Sequence, residues 1–192
     1  MNRVIAALWW VVLSIWLVCG IAPSIVAISA FTTLPSLGIS VTNYESFLGE
    51  SALANGRFAA GFITEPVFQA SDIVQLALAV FAVMLFAVGG GRVYSCSRFT
   101  KIIVAVALAM AVLITGIIAI GVSPPMNREL TAYRAAALQG DAETAERHLD
   151  AFNELHPLAE RVHAIRAASL LALIFFSGFA SGGPPPSQEE QE

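Results

Sequence analysis

Charge is what this 192-residue sequence has least of. Charged side chains make up 12% of it, against roughly a quarter in a soluble globular domain. Lysine and arginine number 10 and aspartate and glutamate 14, a formal net charge of −4. No basic excess attracts phosphate, which excludes nucleic acid as a partner. Apolar residues fill 57% of the chain and the mean hydropathy is +0.73. That excludes a disordered chain and an ordinary cytosolic enzyme. Catalytic signatures are missing too: there is no glycine-rich phosphate loop, no HExxH pair and no nucleophile elbow. The chain therefore reads as non-enzymatic. Only two cysteines occur, Cys19 and Cys96.

In place of charge stand four apolar runs, at about 4–30, 73–91, 102–122 and 164–180. A helix rises 1.5 Å per residue, so about 20 residues cross about 30 Å of hydrocarbon. In lipid each backbone group needs a partner within the protein, so the runs are helices. Barrel strands would alternate apolar and polar residues, and these runs do not. The expected fold is all-α: an integral membrane four-helix bundle with two extramembrane helical connections, 31–72 and 123–163, in one domain over 1–180. The first run exceeds the length of a cleaved signal and reads as an anchor. The tail 181–192, with Gly182-Gly183, three prolines and three glutamates, has nothing to bury and reads as disordered.

Orientation follows from the cations. The connection between the second and third runs carries Arg92, Arg98 and Lys101 and no acid, whereas 31–72 carries Arg57 against Glu45, Glu50, Glu65 and Asp72. The excess of cations in a short connection places it, and both termini, in the cytoplasm. Cys19, inside the first run, and Cys96, in that connection, then lie too far apart for a disulfide.

The connections carry their own signals. Tyr44, Phe47, Leu48, Leu53, Phe58 and Phe62 recur near helical spacing, with Pro35 and Pro66 at the ends. Pro124-Pro125 reads as the stop of the third run, Asn127 as the cap of a helix ending at Leu138-Gln139-Gly140, and Asp141 as the cap of the next. Ala145, Leu149, Phe152 and Leu155 form one stripe of that next helix, which continues past Pro157 into the fourth run. Small residues repeat every four positions in the third run (Ala107, Ala111, Thr115, Ala119) and in the fourth (Ala164, Ala168, Ala172). Such faces let helix backbones approach, so these two are expected to touch.

Ionisable groups within spans mark function or pairing. The candidates are Asp72, beside Gln75, and Arg166, expected as a structural polar pair at the outer interface. The three histidines, His148, His156 and His163, share one stretch. His156 and His163 are seven apart, about 20° in azimuth, with Glu160 between them. Two imidazoles and a carboxylate suit zinc, copper or iron. On a regular helix, however, a seven-residue separation is about 10 Å, too far for one ion. The other reading is a solvated helix with interfacial histidines and no cofactor.

The stretch Phe152-Asn153-Glu154-Leu155-His156, seven residues before the fourth run, resembles a bacterial four-span membrane domain of unknown function. That domain is related to eukaryotic transmembrane proteins linked with platinum-drug resistance, which carry a similar Phe-x-x-Leu-His before their last span. Phe31-x-x-Leu34-Pro35 and Gly56-Arg57-Phe58-x-x-Gly61 are compatible with it. The resemblance implies a polytopic protein of the bacterial inner membrane. Its loose link with copper-resistance membrane proteins implies a tie to metal handling.

Two functions follow as expectations. The first is an accessory or scaffolding role, with the lipid bilayer, other membrane proteins or further copies of the chain as partners. The second is a metal-ion or small-solute transporter or resistance factor using His156, Glu160 and His163. The topology is testable directly: a reporter fused at Gln188 is expected to be active in the cytoplasm and one inserted at Gly140 outside. The reverse pattern overturns the orientation.

Overall fold

The computed structural model describes residues 2–93 and 98–181. All the regular structure among them is helical: α1 (Asn2–Thr33), a 3-10 turn (Leu34–Leu37), α2 (Glu45–Leu48), α3 (Ala52–Val93), α4 (Arg98–Gly116), a π-helical stretch (Ile117–Val122), α5 (Ser123–Leu138) and α6 (Ala142–Ser181). The architecture is all-α, and four helical runs are long and apolar enough to cross a membrane. Along α1, Trp9, Val12, Leu13 and Trp16 are buried, while Val4, Leu8, Val11, Ile15 and Val18 are exposed. A helix apolar on both its inner and outer faces belongs in lipid rather than water.

The chain packs as two compact units. The first comprises the described residues of Met1–Gly20, Val74–Gly116 and Ala164–Glu192. Its core joins the α1 residues just named to Ala79 and Ala82 of α3, Val104, Leu108 and Ala111 of α4, and Leu170, Leu173 and Ala180 of α6. Large rings from α1 share this core with small alanines of α3 and α4, and Trp9 lies 6.0 Å from Phe86 of α3 between ring centroids.

The second unit comprises Ile21–Ile73 and Ile117–His163. Phe58 of α3, Ala136 and Ala137 of α5 and Ala145 of α6 are buried there, against half-buried Tyr44, Phe47, Leu48 and Tyr133. Asn55, 3% exposed, pins the irregular connection onto this core. Its Oδ1 accepts the Val41 N–H at 3.0 Å, and its Nδ2 donates to the carbonyls of Gly49 and Ser51, each at 3.0 Å. One side chain thus serves three backbone groups of the connection, of which the Ser51 carbonyl also accepts the Asn55 N–H at 3.0 Å.

Three sequence expectations are corrected. Pro66 does not end an outer helix: α3 runs through it, starting at Ala52, and Pro66 sits at an exposed position. Pro124-Pro125 do not stop the third run, because the π stretch and α5 follow α4 without a break. The prolines withhold the N–H groups due to the Ile120 and Gly121 carbonyls. The six residues just before α5 take the π form, Ile117–Val122. Asn127 therefore lies inside α5 and caps nothing.

Other local signals hold. Gly140 follows α5 at φ +73°, a left-handed conformation that suits glycine. Asp141 Oδ1 accepts the Thr144 N–H at 3.1 Å at the start of α6. That hydrogen bond holds the Asp141 carboxyl below its ordinary pKa. Helix α6 then runs unbroken through Pro157 to Ser181.

Gly56 is buried where α3 crosses the 3-10 turn. A Cβ added to it would stand 2.8 Å from the Leu34 carbonyl carbon and nearer still to the Pro35 backbone. Gly56→Ala must therefore push two backbones apart, with an expected loss of about 1–3 kcal/mol. The measurement is thermal unfolding in mild detergent. Gly61→Ala, whose Cβ meets only Arg134 Nη2 at 3.5 Å, is expected to stay near the parent.

Candidate functional site

Polar groups buried among apolar helices are the natural places to look for function. The first unit holds Gln75 of α3, 0% exposed, and Arg166 of α6, 2% exposed. Both converge on Gly20 of α1: a Cβ there would lie 3.5 Å from Gln75 Oε1 and 4.0 Å from Arg166 Nε. Gln75 Nε2 donates to the Cys19 carbonyl at 3.3 Å. The missing side chain at Gly20 opens the α1 backbone to both polar groups, one turn beyond the buried ring of Trp16.

In the second unit Asp72 is 7% exposed and accepts a hydrogen bond from Ser123 Oγ at 2.5 Å. The donor stands at the first residue of α5, directly after the π stretch, so the change in helix type sets where the hydroxyl points. Asp72 and Arg166, expected as a pair, belong to different units, and each is described within its own. Thr64 and Thr115 are buried too, each donating to the carbonyl four residues back, Ala60 at 2.9 Å and Ala111 at 2.8 Å. Those hydroxyls are spent inside their own helices.

A largely buried charged contact joins the two connections. Arg134 of α5 forms an ion pair with Glu65 of α3, and both side chains are largely buried, 13% and 14% exposed. The guanidinium also lies 4.1 Å from the centroid of the Phe62 ring, three residues before Glu65. A planar cation between a carboxylate and an aromatic face is an arrangement that lysine cannot reproduce. Next to it, Tyr133 packs on Phe58 at 5.5 Å and Phe47 at 6.0 Å between centroids. Burial pushes the Tyr133 phenol above its ordinary pKa, and the charge of Arg134 partly offsets this. Sequence reading missed this cluster, since its partners are 69 residues apart.

The histidines separate. His148 Nδ1 lies 2.7 Å from Glu129 Oε2 and so links α6 to α5. His156 Nε2 lies 3.3 Å from Glu160 Oε1, with both side chains well exposed. His163 turns to the Phe68 ring, 5.9 Å between centroids. Among the described residues no group of three or more His, Cys, Asp or Glu side chains is placed to hold a metal ion.

The small-residue faces are unevenly used. Ala111 and Thr115 are buried, Ala107, Ala119 and Ala172 half-buried, and Ala164 and Ala168 exposed. Ala107 and Ala172 line an open apolar groove of about 360 Å³, together with Val106, Met110, Ser169 and Phe176. Cys19 is half-buried and in no disulfide among the described residues; Cys96 and the tail 182–192 lie outside them.

The Arg134 cluster yields a measurable expectation. Removing one partner of a buried ion pair leaves the other charge unmatched, so Glu65→Ala is expected to cost about 3 kcal/mol. Arg134→Lys keeps the charge but loses the stacked plane on Phe62 and is expected to cost about 1 kcal/mol. Chemical unfolding in detergent micelles reads both, and equal losses would refute the role given to the ring.

No family model matches this chain, and no curated protein or solved structure matches it either.

Proposed function

We propose that this protein is a non-enzymatic accessory or scaffolding component of a bacterial inner membrane, with both termini in the cytoplasm. It binds partner proteins or lipid through its outer helices. The observation that carries the proposal is where the polar side chains go. Gln75 holds a backbone carbonyl, Ser123 holds Asp72, Glu65 holds Arg134, and Glu129 holds His148. Each of these contacts joins one helix to another, the use expected of a framework. Glu143, Glu146, Asp150 and Glu154 meanwhile remain exposed on the first half of α6. Their spacing of three, four and four puts them on one face, away from buried Ala145.

The alternative, a metal or small-solute transporter, draws on the His156–Glu160 contact. One set of measurements separates the two. A photo-crosslinker placed at Asp150 in the full chain is expected to give one discrete crosslinked species in membranes, and charge reversal at Glu146 and Glu154 is expected to abolish it. Absence of any crosslinked species from Asp150 would overturn the scaffold. Copper or zinc bound at a fixed ratio, and lost in His156→Ala, would favour the transporter.

A further inference from the structure

Within the first unit, the apolar groove opened by Ala107 and Ala172 runs between α4 and α6. Its α4 wall extends from Ile102 to Met110 and its α6 wall from Ser169 to Phe176. The eight helical steps of the α4 wall make it about 12 Å long. Half of a hydrocarbon core is about 15 Å, so the groove is close to one leaflet deep. A volume of about 360 Å³ over that length leaves a mean cross-section of about 30 Å². A helix with its side chains is at least about 10 Å across and needs more than twice that area. The groove therefore takes a single extended chain and not a helix of a second copy. The one polar side chain on its walls, Ser169, donates its hydroxyl to the Ile165 carbonyl at 2.8 Å. Such walls match hydrocarbon.

The mouth of the groove carries charge. Arg98, the first residue of α4, is exposed and lies four positions before Ile102, one turn along the same side. Phe99, 71% exposed, stands likewise four positions before Ile103, an aromatic ring at the level of the interface. The ion pairs among the described residues involve neither Arg98 nor Lys101. An arginine fork matches the oxygens of a phosphate. Lys101 sits about 140° around α4 from Val106 and faces away from the groove.

We propose that this groove binds one acyl chain of an anionic phospholipid, with the lipid phosphate at Arg98. The chain fills the space that two small residues leave open, and the cation holds the headgroup where the groove meets the interface. The inference rests on the bilayer placement proposed above and is independent of the scaffolding role.

The test uses the full chain in phosphatidylcholine vesicles. These carry a trace of phospholipid with a photoreactive group in its acyl chain, either phosphatidylglycerol or phosphatidylcholine. Flotation of the chain with the vesicles checks the bilayer placement first, and a chain that stays behind overturns that placement and this site together. Labelled positions are then mapped by peptide mass spectrometry. Phosphatidylglycerol is expected to label the groove walls about fivefold more than phosphatidylcholine does, as one cation beside an anionic headgroup allows. The two lipids are expected to label Val11 and Ile15, on the exposed face of α1, equally. Arg98→Gln is expected to remove the preference, whereas Lys101→Gln, the same change of charge, is expected to keep most of it. Val106→Phe, at a position 57% exposed, is expected to displace the chain from the groove. Ser169→Leu fills the groove from the opposite wall should that variant fail to fold. Equal labelling of the walls by the two lipids, equal losses from Arg98→Gln and Lys101→Gln, or labelling that survives the groove-filling variants overturns the proposal.

Discussion

A backbone carbonyl in an apolar surrounding has no solvent to fall back on, and that requirement organises this molecule. Prolines stand inside α1, α3 and α6, and a further pair opens α5. Each interrupts the ladder, and the chain answers differently according to place. Deep in the first unit the answer is a buried glutamine on a neighbouring helix. Before α5 it is a change of helix type. At Pro66 and Pro157, both exposed, the ring turns outward and the helix continues. Long helices survive their prolines because the lost donors are replaced or the freed acceptors stay accessible.

The two units meet different demands with different residues. The first packs tryptophans and leucines against alanine, and its outer surface is as oily as its interior. Where the outside gives no hydrophobic drive, close fit and a few polar contacts must hold helices together. The second relies on aromatic rings, an asparagine that gathers a loop, and a sandwiched arginine. Irregular backbone and charge are thus held here by specific side-chain partners.

Much of this frame was legible in the sequence. The four apolar runs needed only length and the scarcity of charge. Gly140 and Asp141 were readable because a left-handed glycine and an N-cap are decided within a few residues. The proline rules misled at Pro66 and at Pro124-Pro125, since they weigh a lost rung but not the burial that holds a helix on course. Asn55, and the pairing of Arg134 with Glu65, left no trace in the sequence, because their partners are brought close only by folding. The histidine spacing was visible, but spacing alone says nothing of the Phe68 ring that His163 meets.

The bare backbone contact of Gly56 with Leu34 and Pro35 bears on how the chain is assembled. Its two sides are about twenty residues apart, so closing that loop costs little entropy. Both sides are synthesised before the second apolar run, and closing the loop between them needs none of α4, α5 or α6. That corner is therefore complete in sequence before the later helices are made. A bulkier residue at position 56 would disturb the sequence of events during synthesis as well as the finished product.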